Sequence, residues 1–231
     1  MKKILEINNL IVSIYFDENC ALKSLPLVLF NLYDEDGDDI WNLARDLNTN
    51  EFIFVTISNI NWNDDMTPWH MDKLFSSGDD YAGKADSYLN VLCNEVLPLV
   101  NDFIEKDLLK KVSFYSIGGY SLAGLFSIYS IFKTSCFSRF ISCSGSLWYP
   151  NFVGFVKEHL LDNLPKRVYF SIGSREYKSK NKLMANVLNC TLDLKDYFDK
   201  NGVETIFEEN EGNHFQDVSY RIAKSIYSIL K

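Results

Sequence analysis

The stretch 112–126, VSFYSIGGYSLAGLF, changes its hydrophobic period halfway along, and that change restricts the fold more than any other feature of the chain. Positions 112–117 form a mostly apolar run with β-branched and aromatic members, the pattern of a buried strand. From Ser121 onward, Leu122, Leu125, Phe126 and Tyr129 recur at three- and four-residue spacing, the pattern of a helix. Ser121 therefore sits where a strand stops and a helix starts. A sharp turn at such a place holds a serine in a strained backbone conformation and lifts its hydroxyl above the sheet edge, as in a nucleophile elbow. Small residues are needed on both sides. Gly119 lets the chains pass without a Cβ clash, and Gly124 lets the helix pack close to the strands. The helix N-terminus also points free N–H groups and a positive dipole end at the site.

The five-residue form G-x-S-x-G is not quite met, because its fifth position is Ala123 and the glycine comes one residue later. Alanine is small enough for the turn. The alternative is an ordinary glycine-rich connection between strand and helix. A phosphate-binding loop is excluded, because Leu125 follows Gly124 where a lysine is required, and the G-x-G-x-x-G dinucleotide fingerprint is absent.

Around this stretch the chain alternates. Residues 3–16 read as two strands hinged at Asn8-Asn9, a hairpin. Residues 25–32 are a continuous apolar run, the mark of a strand buried on both faces. The acidic stretch 34–39 invites a calcium-loop reading, which fails because Asp39 stands where the loop glycine belongs; Asp38 and Asp39 instead charge the start of a helix running to about Leu47. Residues 52–57 form another strand. Residues 58–84 lack clear periodicity and carry Trp62, Met66, Trp69, His70 and Tyr81, either as an aromatic wall or lid over a cleft or as plugs into the core. A long amphipathic helix follows over 84–110, with Tyr88, Val91, Leu92, Val96 and Leu99 on one face and a kink at Pro98. Further strands are expected at 137–143, 168–172 and 203–207, and helices at 152–161, 183–201 and 217–230. After the hairpin this alternation implies an α/β fold, a mostly parallel sheet covered by helices on both faces. The 231 residues suit a single domain over 1–231.

A nucleophilic Ser121 needs a base within hydrogen-bond reach and a third group to orient that base. The chain has three histidines. His70 precedes the elbow, in the aromatic segment. His159 lies in a helical pattern as an ordinary surface or half-buried histidine. His214 follows the last strand in Glu211-Gly212-Asn213-His214-Phe215, at the strand end where open α/β sheets gather their sites. The acid should follow a strand between the two, and Glu176, after the turn Gly173-Ser174-Arg175, is the leading candidate ahead of Asp193 and Glu211. The alternative for Glu176 is a surface carboxylate paired with Arg175 or Lys178. An oxyanion would be held by the backbone N–H of Leu122 and by a second N–H after the 25–32 strand, from Tyr33 or Asp34. Tyr120, Trp148, Trp62 and Trp69 are candidates to line a substrate pocket, or else core residues.

Composition narrows the partners. A formal charge of −8 disfavours nucleic acid and anionic membranes, and no apolar run is long enough to span a bilayer. Cys20, Cys93, Cys136, Cys143 and Cys190 are odd in number and scattered, as expected of reduced thiols in a cytoplasmic protein. Glu6, Asn8 and Asn9 interrupt any signal-peptide core, in keeping with the same compartment.

Five segments together resemble the putative esterase family of α/β-hydrolases, the group with esterase D and the enterochelin esterases: Gly119-Tyr120-Ser121-Leu122-Ala123-Gly124-Leu125, Asp65-Met66-Thr67-Pro68-Trp69, Ser144-Gly145-Ser146-Leu147-Trp148, Gly173-Ser174-Arg175-Glu176 and Gly212-Asn213-His214-Phe215. The resemblance spans nearly the whole chain. It implies an α/β-hydrolase fold and serine-dependent hydrolysis of a small-molecule ester, without metal or organic cofactor. It places nucleophile, acid and base on Ser121, Glu176 and His214. The expectation is a cytoplasmic serine esterase working through an acyl-enzyme. The alternatives are an acyltransferase on the same residues and a catalytically silent hydrolase fold used for binding.

Overall fold

The computed structural model describes residues 1–33, 37–74, 76–159 and 164–231. Its centre is an eight-stranded sheet in the order β1-β2-β4-β3-β5-β6-β7-β8. β1 (Lys2–Ile7) and β2 (Leu10–Tyr15) form an antiparallel hairpin, with Asn8 and Asn9 both at positive φ, the turn conformation that asparagine tolerates best after glycine. β2 pairs antiparallel with β4 (Ile53–Ser58). The remaining pairings are parallel, through β3 (Ser24–Asn31), β5 (Lys111–Tyr120), β6 (Arg139–Cys143), β7 (Arg167–Gly173) and β8 (Glu204–Asn210). Their C-terminal ends therefore share one edge.

The central strands are buried on both faces, and alternate residues feed two cores. Leu27 and Leu29 of β3 face one, Val28 and Phe30 the other. The smaller core lies under α1 (Asp38–Asp46) and α8 (Val218–Leu230), through Ile40, Trp41, Ile222 and Ile226. The larger lies under α3 (Ala85–Val91), α4 (Leu97–Lys106), α5 (Leu122–Ser130), α6 (Phe152–Glu158) and α7 (Val187–Lys200). α5 is buried along its whole length, which explains its uniformly apolar sequence.

Two local expectations change. The helix expected over 84–110 is split by one widened π-type turn, Leu92–Val96, directly before Pro98. Proline lacks an N–H and crowds the carbonyl four residues earlier, and a wider turn there accommodates both. The extra residue moves the buried face along by one position. Val100 and Ile104 point inward, and Leu99, expected on the buried face, is 50% exposed. Residues 58–84 are partly ordered by α2 (Trp62–Asp65) and by a bridge between Met71 and Tyr81. Asp64 ties this segment down, its carboxylate accepting from the Lys84 ammonium at 2.8 Å and the Ala82 N–H at 3.2 Å. The acidic stretch at 34–36 and the end expected for the helix at 161 lie outside the described residues. Among the described residues no helix is long and apolar enough to cross a membrane.

Candidate active site

Ser121 follows the last residue of β5, at the point where strand order reverses between β3 and β5. Its backbone lies at φ 58°, ψ −121°, a region L-residues rarely occupy. The turn is tight enough that a Cβ on Gly119 would stand 2.3 Å from the Ala123 carbonyl carbon. Gly124 is also close-fitting, with Gly145 Cα 2.9 Å from where its Cβ would be. The chain thus spends its small residues at 119 and 124, and Ala123 fits between them.

The other site residues come from the same sheet edge. After β7 the chain turns through Gly173 to Glu176, and after β8 it reaches His214. The Ser121 hydroxyl lies 3.0 Å from Nε2 of His214, and Nδ1 of His214 lies 2.9 Å from Oε2 of Glu176. The second oxygen of Glu176 accepts from the Ser144 hydroxyl at 2.6 Å and the Gly173 N–H at 2.7 Å. This fixes one tautomer: Nδ1–H donates to Glu176 and Nε2 accepts from Ser121. Burial by itself would raise the Glu176 carboxyl, but the hydrogen bond and charge of His214, with Ser144 and Gly173, outweigh it and hold the group below its ordinary value. Glu176 is therefore turned inward and is not a surface partner of Arg175 or Lys178.

A buried layer supports these residues. Arg221 on α8 is 1% exposed, and its Nη1 stands 3.7 Å from Oε1 of Glu176. The same guanidinium donates to the Tyr120 hydroxyl at 3.0 Å and to the Glu211 carbonyl at 2.8 Å. Tyr120 in turn donates to the backbone carbonyl of His214 at 2.7 Å. Burial pushes the Tyr120 phenol up to about 12, so it remains a donor. Sequence reasoning missed Arg221, Ser144 and Ser146. Arg221 carried a usable signal, an arginine among the inward positions of an amphipathic helix. The two serines lie in a segment that carries the family resemblance, but nothing in it assigned them a role.

Two hollows meet at Ser121 and His214. The larger, of about 580 Å³, is lined by Trp62, Tyr81, Leu122, Ser146 and Trp148, and by Arg175 and Lys178. The smaller, of about 410 Å³, is lined by Leu32, Tyr33, Tyr120, Val218 and Ile222. Trp62 and Phe215 border both. Tyr33 is 63% exposed and meets Trp62 edge to face, with ring centroids 5.3 Å apart. Asp34, the other candidate for the second oxyanion donor, lies outside the described residues. The Leu122 N–H opens α5, so it has no partner within the helix.

Trp69 is a correction. It borders neither hollow; its indole N–H donates to the Pro150 carbonyl at 3.1 Å and its ring packs against Tyr149, Phe152 and Phe155. α2 turns the chain between Trp62 and Trp69, so one ring faces the site and the other anchors the segment. His70 is exposed beside Asp72, and His159 sits at the end of α6 against Phe155; neither borders the two hollows. Among the described residues no group of three or more His, Cys, Asp or Glu could hold a metal ion.

The profile of the putative esterase family matches residues 37–220. The chain is similar to the uncharacterized protein YbbA of Bacillus subtilis, 30% identical over 142 residues, which is 61% of this chain and 56% of that protein. The chain thus spans little more than half of that relative. In structure it is similar to the siderophore hydrolase EstB of Aspergillus nidulans, with a TM-score of 0.74 at 17% identity over 100% of this chain and 94% of the other. It is also similar to an IroE-like serine hydrolase of Shewanella oneidensis, with a TM-score of 0.75 at 20% identity over 100% of this chain and 79% of the other. At these identities the likeness is one of fold, that of the α/β-hydrolases.

Proposed function

We propose that this chain, which belongs to the putative esterase family, is a serine esterase that hydrolyses a small-molecule carboxylic ester through an acyl-enzyme. Ser121 is the nucleophile, His214 the base and Glu176 the group that orients the base. The observation that carries this reading is the unbroken hydrogen-bonded path from the Ser121 hydroxyl through His214 to a buried Glu176, at 3.0 and 2.9 Å.

In the first half-reaction His214 Nε2 takes the serine proton as the hydroxyl oxygen bonds to the ester carbonyl carbon. The negative oxygen of the tetrahedral intermediate is met by the Leu122 N–H and the positive end of α5, with the Tyr33 N–H as the second candidate donor. The imidazolium is stabilised by Glu176. As the intermediate collapses, the carbon–oxygen bond to the alcohol breaks and His214 hands its proton to the departing oxygen. Water then gives a proton to His214 as it attacks the acyl carbon, and the serine regains its proton when the acid leaves. Trp62, Trp148 and Tyr120 border the space in which acyl and alcohol groups would lie. The reading includes a cytoplasmic, reducing location, supported by five cysteines that are all unpaired.

The test is fluorophosphonate labelling of the folded protein with peptide mapping, alongside p-nitrophenyl ester turnover. Labelling at Ser121 with measurable turnover is the expected result. A folded protein that neither labels nor turns over short esters ends the reading.

A further inference from the structure

The two hollows at Ser121 differ in one respect that apolar packing does not explain. The smaller is bordered mainly by aliphatic and aromatic side chains, with Asn31 and Ser121, and among the described residues His214 is its sole ionisable side chain apart from tyrosine hydroxyls. The larger carries two cations, Arg175 and Lys178. Both are exposed. Neither forms an ion pair among the described residues: Arg175 donates to the neutral Gln216 amide at 3.2 Å, and the Lys178 ammonium lies over the Tyr177 ring. Among the described residues the only carboxylate bordering this hollow is Glu176, and both of its oxygens are engaged.

This placement runs against the rest of the molecule. The chain has a formal charge of −8, with 31 acidic side chains against 23 lysines and arginines. The segment 175–182, REYKSKNK, holds four cations, and its one acid is the inward-turned Glu176. Two unpaired cations over a partly enclosed, aromatic-walled hollow leave an uncompensated positive field beside the serine. An arginine fork and a mobile lysine ammonium together suit a carboxylate or phosphate.

We infer that the larger hollow receives an arm of the substrate bearing an anionic group, held by Arg175 and Lys178, while an apolar part of the same ester occupies the smaller hollow. The inference deepens the esterase reading and rests on Ser121 being the reacting centre. It makes Arg175 and Lys178 determinants of specificity and assigns them no part in bond making.

The experiment uses quenching of tryptophan fluorescence, since Trp62 and Trp148 border the hollow. The full chain is titrated with 4-phenylbutyrate and with its neutral isostere 4-phenylbutyramide, and the same is done for the Arg175→Gln/Lys178→Gln double variant. The carboxylate should bind the wild type at least about tenfold more tightly than the amide, a preference that shrinks as salt is raised from about 50 to about 500 mM. The double variant should bind the two alike. 4-Phenylbutylphosphonate, run in parallel, tells whether a phosphate-like or a carboxylate group is favoured. Equal binding of charged and neutral probes by the wild type, absence of binding by either up to about 10 mM, or a preference that survives in the double variant overturns the inference. Labelling of Ser121 keeps the two readings apart. A labelled serine without charge preference ends the anionic-arm inference alone, and a charge preference without labelling ends the esterase reading and leaves Arg175 and Lys178 as an anion-binding pair with no ester to position.

Discussion

Arg221 and Glu176 form a buried pair across the back of the site, with Nη1 3.7 Å from Oε1 and side chains 1% and 4% exposed. The arginine also holds Tyr120 and the Glu211 carbonyl, so one side chain on α8 braces the loops that carry acid and base. Arg221→Met should lower unfolding free energy by about 3 kcal/mol, because it leaves a buried carboxylate short of its counter-charge. Arg221→Lys should recover part of that loss. Urea midpoints of the three proteins check this, and an Arg221→Met midpoint equal to that of wild type would remove the bracing role.

Glu176 links the site to acid stability. Its carboxyl is held below the ordinary value of 4.5 in the fold and returns towards it when the chain unfolds. As pH falls, the unfolded chain takes up this proton first, so the network stabilises the fold above about pH 4.5 and the contribution fades as pH drops through the folded value. The difference in urea midpoint between wild type and Glu176→Gln should therefore be largest near neutrality and shrink steadily beneath about pH 4.5. A difference that stays constant with pH contradicts the assignment.

On the proposed mechanism Ser121→Ala and His214→Ala each reduce ester turnover by roughly 10³-fold or more, and the double variant is little worse than either single one. Multiplicative losses would show that the two do not act as a unit.

The strain at Ser121 has its own signature. Ser121→Gly should raise unfolding free energy by about 1 kcal/mol while abolishing turnover, since glycine adopts the φ 58°, ψ −121° conformation without a Cβ penalty. Thermal melts suffice, and a destabilised glycine variant argues against stored strain.

Gly119→Ala places a methyl group against the Ala123 backbone, with no flexible side chain there to yield. It should cost about 1–3 kcal/mol and displace the elbow, lowering turnover more than stability alone explains. A fully active, equally stable alanine variant would show that the turn has more room than its geometry indicates.

Much of the architecture was legible because short apolar runs and helical periods alternate from residue 25 onward, residues 58–84 excepted. Ser121 stood out because two periods meet there. His214 and Glu176 were reachable from the rule that parallel strands deliver their C-terminal ends to one edge, which is also why the structure brings them to Ser121. Where sequence reading failed, the causes were local. A constant helical period over 84–110 places Leu99 inside, and the widened turn at Leu92–Val96 breaks that period and leaves Leu99 outside. Trp62 and Trp69 look alike in sequence, and only the turn of α2 separates them. Arg221 drew no reading at all, although it sits at an inward position of α8.

Trp62 and Phe215 border both hollows, so the space around Ser121 is partitioned. A partition makes the two arms of a ligand separately adjustable. A change deep in one compartment alters what fits there and leaves the other compartment's selectivity intact. Removing the wall has a different effect. Trp62→Ala would join the compartments into one chamber, and a site that sorts molecules by two independent criteria would become one that sorts them by total bulk.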